Sequence, residues 1–307
     1  MRRESGGRPC ELVSLHQALA HFVGFQGAVQ SQEHIKPLHW YVACRLVLEG
    51  GFLPDEITPR PPFRAESRGG IWSLRYDATY GSGGERTVLG GLKTKNIDVV
   101  AIKEGVGPVL TVSCKGAIGA FRNLTNRMEE AVGDCTNLHI AYPPMVCGYL
   151  FIARANRSEQ AAIEQIEGGG AVPARAVLRN DLAFNPEGEV VDGLIRFHSA
   201  LRALGDRRGI RDDVSRYEAV ALALAETDVA VPGSIVADFP EPDSSLRIER
   251  FFDTLYLHYD ERYVYGAPAL RSVTGRREWA ENSPAFDAEG PVGPLLRQMD
   301  YRLRLDG

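Results

Sequence analysis

Residues Met145 to Ala153 read MVCGYLFIA, an apolar run without a single charge. A strand with one face in water alternates apolar and polar residues, so a run this uniform needs cover on both faces. That is the pattern of a central strand in a sheet flanked by helices. Too short to span a bilayer as a helix, it constrains the chain to a layered α/β core.

The flanking sequence agrees. Apolar spacing predicts helices over Leu12–Val23 and Glu33–Glu49, the latter with Pro37 in its first turn and Gly50-Gly51 as its stop. A proline-rich passage, Pro54 to Pro62, leads to an exposed strand marked by Ile71, Leu74 and Tyr76, and GSGGER reads as a hairpin tip or loop. NIDVVAIK (Asn96–Lys103) and VLTVSCK (Val109–Lys115) are two strands joined by the turn EGVGP, hence an antiparallel hairpin. Ile118, Phe121, Leu124, Met128, Val132, Cys135 and Leu138 step by three or four, an amphipathic helix of about 20 residues. A short helix over Glu159–Ile166, a helix over Val191–Leu204, the strand YEAVALALAE and the segment LRIERFFDTLYLHYDERY, helical in its first part, follow. The expected fold is α/β (α+β), a mixed sheet flanked by helices in one domain over 1–307. Its core spans about 30–225 with a loop-rich insertion at 156–190. Residues 226–307 form an extension assigned to dimerisation or DNA contact.

Apolar residues make up 44% and charged residues 24%, enough for a proper core. The net charge of −5 supplies no global basic field, so any contact with nucleic acid needs a local basic strip. Five cysteines, an odd number without a CxxC pair, argue for a reducing compartment and against both a disulfide framework and a structural zinc site. The start, MRRESGGRPC, does not read as a secretory signal, and the expected location is the cytoplasm, with no membrane association. There is no HExxH, and GSGGERTVLGGLKT lacks the spacing of a phosphate-binding loop.

The hairpin carries the chemistry. Asp98 sits in an apolar strand, where an ionised carboxylate costs several kcal/mol unless paired or metal-bound. Lys115 ends the partner strand, and the period of two puts Ser113 and Lys115 on one face, where Asp98 can meet them. On the following helix Arg122, Asn126 and Glu129 form one polar stripe, and Asn123, Arg127, Glu130 and Asp134 a second; either can face the strand ends. Hydrolysis of a phosphodiester needs a metal and a cation beside the attacking water, which such a grouping supplies. A thiol hydrolase built on Cys114 and His139 is disfavoured, because Cys114 faces away from Lys115 and His139 falls past the helix end.

The string SCK, with Glu129 fourteen residues past the lysine and Arg127 twelve past it, resembles the PD-(D/E)xK nucleases. Among them it is most similar to the type II restriction endonucleases of the CCGG-core group, whose second catalytic acid has moved to the next helix. Ser113 stands where the acid of the common motif would be. The resemblance covers Ile97–Ile152. It implies a restriction-endonuclease-like core, with Asp98, Glu129 and the Cys114 backbone carbonyl as ligands of Mg2+, for which Mn2+ would substitute. Lys115 would orient the water, and a further glutamate carries onto Glu33, with Glu49 as competitor. Arg122, Asn123, Asn126 and Arg127 suit phosphate or base contacts, or equally a solvated face. The group's Arg-x-Asp-Arg reading cluster is Gly119-Ala120-Phe121-Arg122 here, so only Arg122 matches. The implied protein is a homodimeric endonuclease acting on double-stranded DNA, as a restriction enzyme or beside a partner protein in an anti-phage system. A nuclease fold without catalysis, serving as a DNA-docking subunit, and an RNA-directed nuclease are the alternatives.

Overall fold

The computed structural model describes residues 8–27, 32–119, 121, 124–160, 164–167, 170–173, 176–227 and 229–306. Eleven strands and seven α-helices occur among them. The strands are β1 (Ile57–Thr58), β2 (Phe63–Arg68), β3 (Ile71–Tyr76), β4 (Arg86–Leu89), β5 (Thr94–Ile97), β6 (Val99–Lys103), β7 (Gly107–Ala117), β8 (Val146–Ala155), β9 (Glu164–Glu167), β10 (Gly170–Pro173) and β11 (Ala219–Glu226). The helices are α1 (Leu15–Gly24), α2 (Lys36–Leu48), α3 (Leu124–Ala141), α4 (Asp192–Leu204), α5 (Ile248–Tyr259), α6 (Arg271–Thr274) and α7 (Gly293–Leu296).

Five strands form the central sheet in the order β1-β6-β7-β8-β11. The β1, β6 and β7 pairings are antiparallel, and β8 runs parallel to both β7 and β11. The sheet is therefore mixed, and β8 lies inside it, buried at every position. Alternation divides its side chains between two cores. Val146, Leu150 and Ile152 join α1, α2 and α5 on one face; Cys147, Tyr149, Phe151 and Ala153 join α3 and α4 on the other. Strand β11 shows only alanines to the first face, and Gly148 of β8 lets α5 settle there, since a Cβ would stand 2.8 Å from Phe251 Cζ.

Several segments depart from the periodic reading. The apolar run NIDVVAIK is divided: β5 pairs with β4 in a separate ribbon, β6 belongs to the central sheet, and Asp98 is the bend between them. Strand β7 continues through Ala117, because Gly116 and Ala117 pair with Ile152 and Ala153 of β8. The following helix therefore starts at Leu124 rather than Ile118 and runs on to Ala141, which takes in His139. Where a helix over Glu159–Ile166 is expected, β9 pairs antiparallel with β10, and residues 161–163 lie outside the described ones. Glycines punctuate a helix end and a hairpin alike, so the sequence Gly168-Gly169-Gly170 after this segment does not distinguish the two. The segment after Leu246 is helical throughout, α5 continuing into a π-helical turn over Asp260–Tyr265.

Residues past 226 are built into the core. Trp279 is fully buried and donates its indole N–H to the Val47 carbonyl at 2.8 Å, and Phe286, Leu296 and Tyr301 pack in the same cluster as α1, α2 and α5. Among the described residues no helix is long and apolar enough to cross a membrane.

Candidate functional site

The β6–β7 ladder ends at the pair Val99–Val112, and the β4–β5 ladder at Arg86–Ile97. Asp98 lies between the two ladders. One step further along each register, residue 98 faces Ser113 on one side and Glu85 on the other. Past the end of its ladder the β7 backbone needs another acceptor, and the Asp98 carboxylate provides it. Its Oδ2 accepts the Cys114 N–H at 2.9 Å, with Ser113 Oγ at 3.4 Å and Lys115 Nζ at 3.5 Å. Oδ1 accepts no hydrogen bond from a described residue, although Asp98 is only 5% exposed.

Lys115 is half-buried. Burial works against its charge, but Asp98, Glu130 and Asp134 outweigh that and raise its pKa, so it stays an ammonium. Glu85, half-buried, has its pKa raised by burial and then by the negative charge of Asp98. Two neighbouring carboxylates, one of them with an oxygen that takes no hydrogen bond from a described residue, and an ammonium beside them are a donor set suited to a hard divalent cation.

Helix α2 closes the site. Gly116 is required at the end of β7, since a Cβ there would stand 2.6 Å from Phe22 and 3.1 Å from Ile35. The start of α2 is thereby pressed against the strand that carries Lys115. His39 on this helix is 5% exposed and its Nε2 has no hydrogen-bond partner among the described residues. Burial lowers its pKa, Asp98 opposes that, and Lys115 and Lys36 add to it, which places a neutral imidazole at the edge of the site. His34 is likewise held neutral: burial, then His39, Arg154, His21 and Arg127, lower its pKa to about 4.

The remaining sequence candidates are distributed around this centre. Glu33 lies in the turn before α2, paired with Lys36, and its carbonyl accepts from His21 at 2.9 Å. Glu49 is at the opposite end of the helix, held by Arg45 at 2.7 Å and by the Arg302 N–H at 2.7 Å. Glu129 and Asn126 are exposed on α3, and Arg127 is engaged with Glu130 at 2.8 Å. The α3 acids that act most on Lys115 are Glu130 and Asp134, and Asp134 is itself bound to Lys95 of β5 at 2.5 Å. Arg122 and Asn123 lie outside the described residues.

The strand period and the turn between β6 and β7 are enough to bring Asp98, Ser113 and Lys115 together. Glu85 and His39 escape such reading. Glu85 becomes visible only when Arg86–Leu89 is paired with Thr94–Ile97, which sets residue 85 opposite residue 98. His39 needs the contact between α2 and β7, which no periodicity encodes. The chain matches no protein-family model, no curated protein and no solved structure.

Proposed function

We propose that this protein is a magnesium-dependent endonuclease acting on double-stranded DNA, on a restriction-endonuclease-like core. The observation that carries the reading is Asp98: a nearly buried carboxylate with one oxygen that takes no hydrogen bond from a described residue, set between Glu85 and Lys115 at the junction of two ladders. Asp98 and Glu85, with the Cys114 carbonyl, are the ligands assigned to Mg2+. The bound ion would polarise a phosphoryl oxygen and acidify a water, with Mn2+ as a substitute. Lys115 holds its proton, balances phosphate charge and orients the attacking water. Glu85 takes the place that the sequence pattern gives to Glu129, because Glu85 is half-buried and feels the charge of Asp98 while Glu129 is exposed. Cutting both strands requires two such centres, which a homodimer supplies. Restriction of foreign DNA, alone or with a defence partner, is the biological role consistent with this chemistry.

The test is cleavage of plasmid, single-stranded DNA and RNA with Mg2+, Mn2+ or chelator. Wild type should cut the plasmid only with a divalent ion, and Asp98→Ala, Lys115→Ala and Glu85→Gln should each lose about a hundredfold or more. Glu129→Gln should cut normally. Cleavage that persists in Asp98→Ala and Lys115→Ala would remove this site from consideration. A second reading, a DNA-docking subunit without catalysis, is favoured by Ser113, a poor metal ligand, in the acid position and by the net charge of −5. It would show as DNA retention without cutting.

A further inference from the structure

On the sheet face opposite α2, three side chains meet that the nuclease reading does not use. Cys135 and His139 are one turn apart on α3, and Cys147 is on β8; one ligand atom from each lies within 4.8 Å of the others. All three are 0% exposed. We propose that Cys135, His139 and Cys147 form a structural site for a thiolate-seeking divalent ion, zinc foremost.

Distance and environment both carry the assignment. His139 Nδ1 is 3.4 Å from Cys135 Sγ. Ligands at ordinary Zn–N and Zn–S lengths in a tetrahedron are separated by roughly 3.5 Å, so this edge is already of the right length. The two residues are at i and i+4, which places them on one helix face. The other ring nitrogen, Nε2, is 3.2 Å from the Met145 carbonyl and 3.6 Å from Glu218 Oε2, the partners that fix a ligating imidazole in its tautomer. Thr111 Oγ1 donates to Cys147 Sγ at 3.4 Å, as a hydroxyl does toward a thiolate.

The charge also balances. Glu218 Oε1 is bound by Arg207 at 2.8 Å and Arg262 at 2.7 Å, so the neighbourhood carries two guanidinium charges against one carboxylate. Binding exchanges one M2+ for two protons of the Cys135–His139–Cys147 cluster, so it adds no net charge to the buried group. Oxygens that border the cluster and could take a fourth position are the Val214 carbonyl, 3.0 Å from Nδ1, and the Arg216 carbonyl, 3.1 Å from Cys135 Sγ. A metal here would fasten α3 to β8. Cys147 lies opposite Thr111 of β7, four residues before Lys115, or about 13 Å along the strand. The ion would therefore brace the helix that carries Glu130 and Asp134 without entering the site at Asp98.

The site is sealed, so metal must be supplied during folding. The full chain, produced in zinc-supplemented medium and dialysed against chelator, should retain about one zinc per chain, with a native mass higher by one zinc less two protons. Refolding with Co2+ should give the visible bands and sulfur charge transfer of a two-thiolate tetrahedral site. Cys135→Ser and Cys147→Ser should lose both signals, and Cys10→Ser, at a buried cysteine elsewhere, should keep them. Wild type that carries no zinc and gives no cobalt spectrum after refolding would overturn the proposal, whatever the variants do. DNA cleavage is not the readout, so this result and the nuclease test fail independently.

Discussion

Two buried carboxylate–cation pairs lie at opposite ends of α2, and they differ in what they leave over. Glu49 spends both oxygens, Oε2 on Arg45 and Oε1 on the Arg302 N–H. Among the described residues Asp98 spends only Oδ2, and its ammonium partner stands at 3.5 Å. The satisfied pair belongs to the fold, and under the proposed function the remaining oxygen of Asp98 is the one assigned to the metal. Breaking the first should therefore cost stability alone. Glu49→Ala strands the 7%-exposed Arg45 guanidinium and should destabilise by about 3–5 kcal/mol in urea unfolding, with cleavage per folded molecule unchanged. A variant with wild-type stability and lost cleavage would return Glu49 to the site.

At the scale of elements, the β4–β5 ribbon decides where Glu85 stands, and α3 decides where the ribbon stands. Asn137 accepts from the Leu92 and Lys93 N–H groups at 2.8 and 3.0 Å and donates to the Lys93 carbonyl at 3.0 Å. Lys95 adds its bond to Asp134. Asn137→Ala removes three hydrogen bonds at the ribbon turn while keeping a good helix former on α3. The expected result is faster amide exchange at residues 90–93 and a drop in cleavage of about tenfold or more as Glu85 loses its register. Unchanged activity with a loosened ribbon would mean that Glu85 is not a ligand. The same ribbon explains why this acid was hidden: GSGGER reads as a loop, and the run from Asn96 to Lys103 gives no sign that it divides between two sheets at Asp98.

At the scale of the whole molecule, the last 80 or so residues close the core instead of extending from it. Helix α5 covers one face of β8 and β11, and Trp279 and Tyr301 pack on α2 through Val47 and Tyr41. A chain ending at Thr227 would expose that face to water, so it should show no cooperative thermal transition. A sharp transition in the truncated chain would mark residues 228–307 as a separable appendage. Periodicity says little about this region, because its Pro/Gly-interrupted segments pack as irregular pieces whose partners lie far away in sequence, as Trp279 does on Val47.

The periods of the chain alone determined the mixed α/β class, the fully buried strand β8, the β6–β7 hairpin and the meeting of Asp98 with Lys115. Each follows from local rules, because alternation and a short turn fix which residues face each other. Tertiary structure alone decided the rest. Glu85 and His39 came beside Asp98, Glu49 was spent on Arg45, and Cys147 was carried to Cys135 and His139. Those pairings join elements whose mutual placement is set by the packing of two cores, and packing leaves no periodic trace in sequence.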